Sequence, residues 1–263
     1  MLDKITRFEI EISSYCNRKC PWCSNAVYQR SMKEEMDERV FLKILSELSS
    51  EGYDKEDTYI TFSKFNEPLY DMDLLIKRSS QLRDALPNAV LSINTNGDYI
   101  TQRIKEVPFS RLNIMDYDCK GPEYGKDLLK SLGLDKIEAI DNIFYGTLDG
   151  QFMRVITDWP RYFKIEDRGG LISESICKFK NNKEKRTYPC LMKVRPLSID
   201  WQGNVTPCCH IRSDAAEHKD YVMGNITKET LHQIIDSEKY KEFNQALERA
   251  TTIFPPCERC HKN

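Results

Sequence analysis

Three cysteines, Cys16, Cys20 and Cys23, leave the end of a short stretch, Arg7 to Ile12, in which charged and apolar residues alternate. That alternation has the period of a half-buried strand, and Ser13 and Ser14 end it. The strand therefore delivers all three thiols on one loop, and the loop must fold around whatever they hold. Soft thiolates select iron-sulfur clusters, zinc or copper. Four ligands close a metal site, whereas three leave one position open to something other than protein. No His or Cys follows within the next few residues to supply a fourth, yet a three-cysteine part of a zinc site is an alternative this stretch leaves standing.

Downstream, strand and helix patterns alternate. Asp37 is a cap signal ahead of Val40, Phe41, Ile44, Leu45 and Leu48, which recur at helical spacing until Gly52. An apolar run at Tyr59 to Phe62, an amphipathic stretch at Asp71 to Leu86, a strand at Val90 to Asn94 and a helical stretch near Tyr99 to Val107 follow. Arg111 to Met115 and Glu123 to Leu132 read as one more strand and helix. This order predicts an α/β fold with parallel strands and right-handed crossovers. From Lys136 to Asp158 it breaks, because the runs Ile137 to Tyr145 and Phe152 to Ile156 flank Thr-Leu-Asp-Gly and read either as a hairpin or as two barrel strands. Lys180 to Thr187, rich in Lys and Asn, has the composition of an exposed linker, which sets an expected boundary between residues 1–179 and 180–263. Beyond it, Leu197 to Trp201 and Val205 to Cys208 flank Gln202-Gly203 as a hairpin, and Thr227 to Ala250 has a helical pattern.

With 39 basic and 41 acidic residues, a formal net charge of -2, the chain builds no strong field. Neither a nucleic-acid groove nor a polybasic membrane patch is indicated, and small neutral or mixed partners fit better. The start, Met-Leu-Asp-Lys-Ile, lacks the basic and apolar run of a signal peptide, and no window approaches a membrane span, so a cytoplasmic protein is expected. Ten cysteines in 263 residues are too few for a disulfide scaffold, and their clustering points to metal ligation.

The cysteine spacing, Trp22 before the last cysteine and the preceding strand together resemble the radical S-adenosylmethionine (SAM) enzymes. The resemblance implies a partial TIM-type (β/α)5-6 barrel. It also implies a 4Fe-4S cluster on Cys16, Cys20 and Cys23 whose open iron takes the amino and carboxylate groups of SAM, producing a 5′-deoxyadenosyl radical. Active sites of parallel barrels lie at the carboxyl ends of the strands, where the remaining motifs fall. Phe62-Ser63-Lys64-Phe65-Asn66-Glu67-Pro68-Leu69 occupies the place of the family's Gly-Gly-Glu or Gly-Glu-Pro element. Asn66 stands for the usual glycine, and Glu67 takes the contact to the SAM amino group. Ser92-Ile93-Asn94-Thr95-Asn96-Gly97 resembles the Thr-Asn-Gly element that approaches the ribose, so Ser92, Asn94 and Asn96, with Trp22, are expected at the cofactor.

A second group, Cys190, Cys208, Cys257 and Cys260, with Gly203 to Cys208 spaced as Gly-x4-Cys, resembles the SPASM/twitch extension of these enzymes. It implies a small C-terminal domain of a β-hairpin plus helix holding one auxiliary 4Fe-4S cluster, since Cys119, Cys177 and Cys209 lack suitable spacing for another. Four thiolates equally suit a structural zinc ribbon. His210 and His261, beside the cysteines, are expected to support or face solvent rather than ligate. The layout resembles aminocyclitol (2-deoxy-scyllo-inosamine type) dehydrogenases. It implies a radical SAM oxidoreductase acting on a small polyol, sugar or aminocyclitol, with the auxiliary cluster as electron acceptor and a flavodoxin- or ferredoxin-like donor. Arg154 and Arg168 are the expected substrate contacts. A peptide-modifying maturase, an epimerase using Cys119 or Cys177 as hydrogen donor, and a non-catalytic zinc-binding interaction module are the alternatives.

Overall fold

Alternation along the first strand, β1 (Arg7–Ile10), puts Phe8 and Ile10 on one face and Glu9 on the other. Parallel pairing carries this division across the sheet of the computed structural model, which describes residues 5–30, 32–162, 167–173, 175–176, 186–190, 196–249 and 254–260. Phe8 stands beside Ile60 of β2 (Tyr59–Thr61), and Ile60 beside Leu91 of β3 (Val90–Thr95). On the opposite face Glu9 stands beside Thr61, and Thr61 beside Ser92. Asn94 stands beside Asn113 of β4 (Arg111–Met115), and Asn113 beside Arg154 of β7 (Gln151–Ile156). The apolar face is buried together with α1 (Glu38–Ser50) and α2 (Met72–Ala85), whose Phe41, Ile44, Leu45, Leu75 and Leu82 join the core. Inner parallel strands are usually apolar on both faces. A polar row across five of them marks a face that packs against something other than a core.

The remaining elements are α3 (Pro122–Ser131), β5 (Glu138–Ile140), β6 (Ile143–Leu148), α4 (Trp159–Tyr162), β8 (Leu197–Ile199), β9 (Asn204–Thr206), β10 (Gly224–Asn225), α5 (Leu231–Asp236) and α6 (Glu238–Arg249). Among the described residues one mixed sheet of ten strands runs β10-β9-β8-β1-β2-β3-β4-β7-β6-β5. The stretch that broke the alternation resolves as an antiparallel run, β5 to β6 to β7, whose last strand also pairs parallel with β4. The hairpin β8–β9 forms around Asp200, whose Oδ1 accepts N–H bonds from Gln202 (2.9 Å) and Asn204 (2.8 Å). Its first strand pairs parallel with β1, so the sheet is continuous across residue 180.

Two helical expectations change. The stretch near Tyr99 to Val107 makes only a 3-10 helix, Gln102–Glu106. Pro108 drives Val107 out of the helical region, to φ -84 and ψ 121, so the turn cannot continue. Thr227 to Ala250 is not one helix. It begins at a capping box between Thr230 and Gln233 and breaks at Ser237, extended at φ -62 and ψ 148, whose hydroxyl accepts the Tyr240 N–H at 3.2 Å and starts α6. Among the described residues no helix is long and apolar enough to cross a membrane.

Candidate active site

The carboxyl ends of β1, β2, β3 and β4 surround a cavity of about 260 Å3, lined by Cys16, Cys20, Cys23, Trp22, Asn66, Glu67, Asn94, Asn96 and Arg168 among others. These residues come from four separate segments, the loop after β1, the turn after β2, the end of β3 and the stretch at Arg168, so the cavity is a product of topology. Burial pushes the Cys16 thiol up to about 12 and the Cys20 thiol up to about 11, and the neighbouring thiols add to both shifts. Unliganded, these groups hold their protons at neutral pH, and a metal binding there displaces them. The loop is fixed by tertiary contacts. Asn25 Nδ2 donates to the Phe65 carbonyl at 2.7 Å. Arg18 forks between Asp98 (2.5 Å) and Asp118 (2.8 Å), which follow β3 and β4.

Glu67 is 3 % exposed. Its Oε1 accepts bonds from the Thr95 hydroxyl (2.6 Å) and the Leu69 N–H (3.0 Å), and its Oε2 from the Asn96 N–H (2.8 Å). Burial nevertheless outweighs these donors and raises its pKa to about 7. Asn66, at the family's glycine position, closes its own turn. Its Oδ1 accepts the Lys64 N–H at 3.0 Å and its Nδ2 donates to the Phe62 carbonyl at 2.9 Å. Asn96 donates to Asn17 Oδ1 at 2.9 Å, tying β3 to the cysteine loop. Arg168, left-handed at φ 51, donates from Nε to the Trp22 carbonyl at 3.1 Å, and Trp22 packs at a tilt against Trp159 and Tyr117.

Ser92 and Arg154 stand apart from the cavity lining. Asn113 joins them, donating to Ser92 Oγ (3.0 Å) and Asn94 Oδ1 (2.8 Å) while its own Oδ1 accepts from Arg154 Nε (2.6 Å). A chain of hydrogen bonds thus links Arg154 to Asn94 at the cavity edge. Cys119 is exposed at φ 52, outside the lining, and Cys177 and His261 lie outside the described residues. Sequence reasoning missed Glu9, Arg18, Lys64, Tyr117 and Cys209, all of which line the cavity. Arg18 and Lys64 sit inside the two strongest motifs, and a charged residue there was signal enough to name them. Cys209 offered no such signal beside Cys208.

At the other cysteine group, Cys190, Cys208 and Cys257 pack half-buried against the core and Cys260 is buried. The Cys190 N–H donates to the Leu247 carbonyl at 2.9 Å, and the Cys260 N–H to the Cys257 carbonyl at 3.2 Å. A hydrogen bond with Cys209 and burial push the Cys208 thiol well up, and Cys260 adds to the shift. Among the described residues no three His, Cys, Asp or Glu side chains gather as around a single ion. In a cubane each thiolate takes a different iron, so its ligands stand farther apart than those of one ion. Both groups of thiols suit such a cluster in donor chemistry.

Residues 190–261 match the SPASM iron-sulfur cluster-binding domain. The S-adenosyl-L-methionine-dependent 2-deoxy-scyllo-inosamine dehydrogenase of Niallia circulans is 24 % identical over 249 residues, 94 % of this chain and 88 % of that protein. The crystal structure of BtrN in complex with AdoMet and 2-DOIA superposes with a TM-score of 0.73 at 21 % identity, covering 98 % of this chain and 93 % of that one. Native anSMEcpe with bound AdoMet gives a TM-score of 0.58 at 14 % identity, covering 95 % and 87 %. The resemblance to radical SAM enzymes with a SPASM domain holds.

The SPASM segment is joined to the N-terminal cysteine loop through buried charge. Arg212, with its side chain 0 % exposed, donates to Asp214 (2.7 Å), to Asn25 Oδ1 (2.7 Å) and to Ser24 Oγ (3.2 Å), the last two directly after Cys23. Arg30 bridges Asp214 (3.0 Å) and Glu11 (2.9 Å) and stacks on Trp201, while Glu11 Oε1 also accepts the Phe65 N–H at 2.8 Å. Burial works against the Asp214 charge, yet the two guanidiniums hold its carboxyl well below the usual range. Lys64 adds a second tie, donating to Thr206 Oγ1 (2.8 Å) and the Ile211 carbonyl (2.7 Å). His218 Nδ1 accepts the Arg212 N–H at 2.9 Å, which puts the ring proton on Nε2, 2.9 Å from the Gly169 carbonyl beside Arg168.

Proposed function

We propose that the chain is a radical SAM dehydrogenase that oxidises a secondary hydroxyl of a small amino-bearing ring, of the 2-deoxy-scyllo-inosamine type. The observation that carries this reading is that one cavity collects three thiols and Trp22 from the loop after β1, Glu67, Asn94 and Asn96 from the ends of β2 and β3, and Arg168. Cys16, Cys20 and Cys23 would hold the SAM-binding 4Fe-4S cluster, and Cys190, Cys208, Cys257 and Cys260 the auxiliary one. When bound, these groups would supply a carbon radical that takes a hydrogen atom from the substrate and an acceptor for its second electron, the hydroxyl proton passing to solvent.

The residues around them bind and orient. Glu67 accepts a hydrogen bond from the SAM amino group, and the sulfonium cation of SAM favours its ionised form. Asn66, Asn94 and Asn96 offer amide groups to its polar edges, Ser92 steadies Asn94 through Asn113, and Trp22 walls the cavity with Tyr117. On the polar face of the sheet Glu9 presents a carboxylate to the cavity beside Ser63 and Lys64, a set suited to an ammonium and adjacent hydroxyls. Arg168 donates to a substrate oxygen and holds the lip closed on Trp22. Arg154 acts on the same hydroxyl-binding edge through Asn113 and Asn94.

In this reading the parallel strands form a partial barrel over 1–179, with a twitch domain over 180–263, and a flavodoxin- or ferredoxin-like protein delivers the first electron in the cytoplasm. The test is iron, sulfide and zinc content of anaerobically reconstituted protein, with electron paramagnetic resonance before and after SAM, for wild type and a Cys16→Ala/Cys20→Ala/Cys23→Ala variant. About eight irons per chain, falling to about four with loss of the SAM-sensitive signal, is expected. About four irons with one zinc would remove the electron acceptor and overturn dehydrogenation. Product from an aminocyclitol should be a ketone without solvent deuterium. A product of unchanged oxidation level that carries deuterium would mean epimerisation instead.

A further inference from the structure

Among the described residues three buried arginines have a carboxylate within reach, Arg78 at 3.7 Å from Glu38 among them, and one does not. Arg30 and Arg212 are matched by carboxylates, Glu11 and Asp214, so their charge is neutralised where it lies. Arg186 is just as deeply placed, 3 % exposed, yet its Nε and Nη2 atoms are buried without a hydrogen-bond partner. Among the described residues no carboxylate is paired with it. Leaving a guanidinium buried and uncompensated costs several kcal/mol, about 3–5 by the usual measure, so such a group implies an anion beside it.

Its place in the chain says which anion. The Arg186 N–H donates to the Glu258 carbonyl at 2.7 Å, pinning it to the turn that carries Cys257 and Cys260. Four residues on, Cys190 is pinned in the same manner to the end of α6. The Arg186 backbone is thus fastened to the turn between Cys257 and Cys260, four residues along the chain from Cys190. A cubane with four thiolate ligands carries net negative charge, and its sulfurs accept hydrogen bonds. On the basis of the auxiliary cluster proposed above, we infer that Arg186 is its charge partner, donating N–H bonds to cluster or thiolate sulfur and raising its reduction potential.

The sign follows from electrostatics. An added electron makes the cluster more negative, so a fixed cation with donors aimed at sulfur stabilises the reduced form more than the oxidised one. That is the direction an acceptor of a substrate electron needs. Arg186 would be a tuning residue that touches neither substrate nor SAM.

The test uses full-length protein carrying Cys16→Ala/Cys20→Ala/Cys23→Ala, so that only the auxiliary cluster remains, reconstituted anaerobically and titrated by electron paramagnetic resonance. In that background Arg186→Met should keep its iron while the ratio of reduced to oxidised cluster at a fixed potential falls about tenfold, a drop of about 59 mV for one electron. Arg186→Lys, which keeps the charge but not the fork, should lie between. If Arg186→Met fails to hold iron, Arg186→Gln is read in its place. An unchanged midpoint potential in a neutral variant with full iron overturns the inference and leaves the auxiliary cluster standing. Zinc or no iron in the Arg186 parent overturns the cluster itself, and the inference with it.

Discussion

The two cysteine groups solve the same chemical problem differently. Cys16, Cys20 and Cys23 sit on one loop that opens into a cavity and is held by polar ties, the Arg18 fork and the Asn25 amide. Cys190, Cys208, Cys257 and Cys260 come from segments far apart in sequence and pack against the apolar core, beside the stacked rings of Phe243 and Phe254. A local loop can present ligands before the fold is complete and leave room for a second molecule. A site gathered from distant segments exists only once the chain has folded, and its metal then contributes to folding free energy.

That difference can be broken most directly by removing ligands from each side. Cys23→Ala should abolish turnover while leaving the thermal midpoint of the anaerobic holoprotein nearly unchanged. Cys257→Ala/Cys260→Ala should abolish turnover and also lower stability, by about 3 kcal/mol or more as for other structural metal sites. Equal destabilisation by both would mean that the groups are not architecturally distinct. Next in size, Asp214→Asn leaves Glu11 as the partner of Arg30 and takes the paired carboxylate from buried Arg212, and should cost about 3 kcal/mol in urea unfolding. The Asp214 carboxyl is held low in the folded state, so its contribution is present above its unfolded pKa and is lost as pH falls through the lower folded value.

Glu67 sharpens the cavity side. Its folded pKa, about 7, lies above its ordinary value of 4.5, so without ligand its ionisation costs stability as pH rises through that window. A bound amino N–H donor on a ligand that carries a sulfonium cation favours the ionised form. SAM affinity by titration calorimetry should therefore rise about tenfold between about pH 6 and about pH 8 and then level off. In Glu67→Gln it should be weaker and lose that pH dependence, and a retained slope would assign the titration elsewhere. The smallest effect is expected for Arg18→Lys, which keeps the charge but not the fork between Asp98 and Asp118. SAM binding should weaken about fivefold, with the auxiliary cluster's signal unchanged.

Much of the parallel part of the fold was legible because strand and helix periods are local. Arg111 to Met115 coincides with β4, and the cap at Asp37 opens α1. The stretch before Pro108 and the Ser237 break were misread because one residue's backbone preference overrode a longer apolar pattern. In the site, Glu67 and Asn96 were legible from short motifs. Their bond to each other was not, since it spans two strands. Ser92 has the right face of β3 but sits deeper than the cavity, and only the register with Asn113 reveals that.

By itself the sequence determined what could be bound, since thiol spacing, strand alternation and turn residues are properties of neighbours along the chain. Tertiary structure decided which groups share a volume. It brought Arg212 to Asn25, Lys64 to the Ile211 carbonyl and Cys209, rather than Cys208, to the cavity wall. The physical reason is that buried charge must find its partner wherever the fold brings one, and sequence distance does not enter that energy.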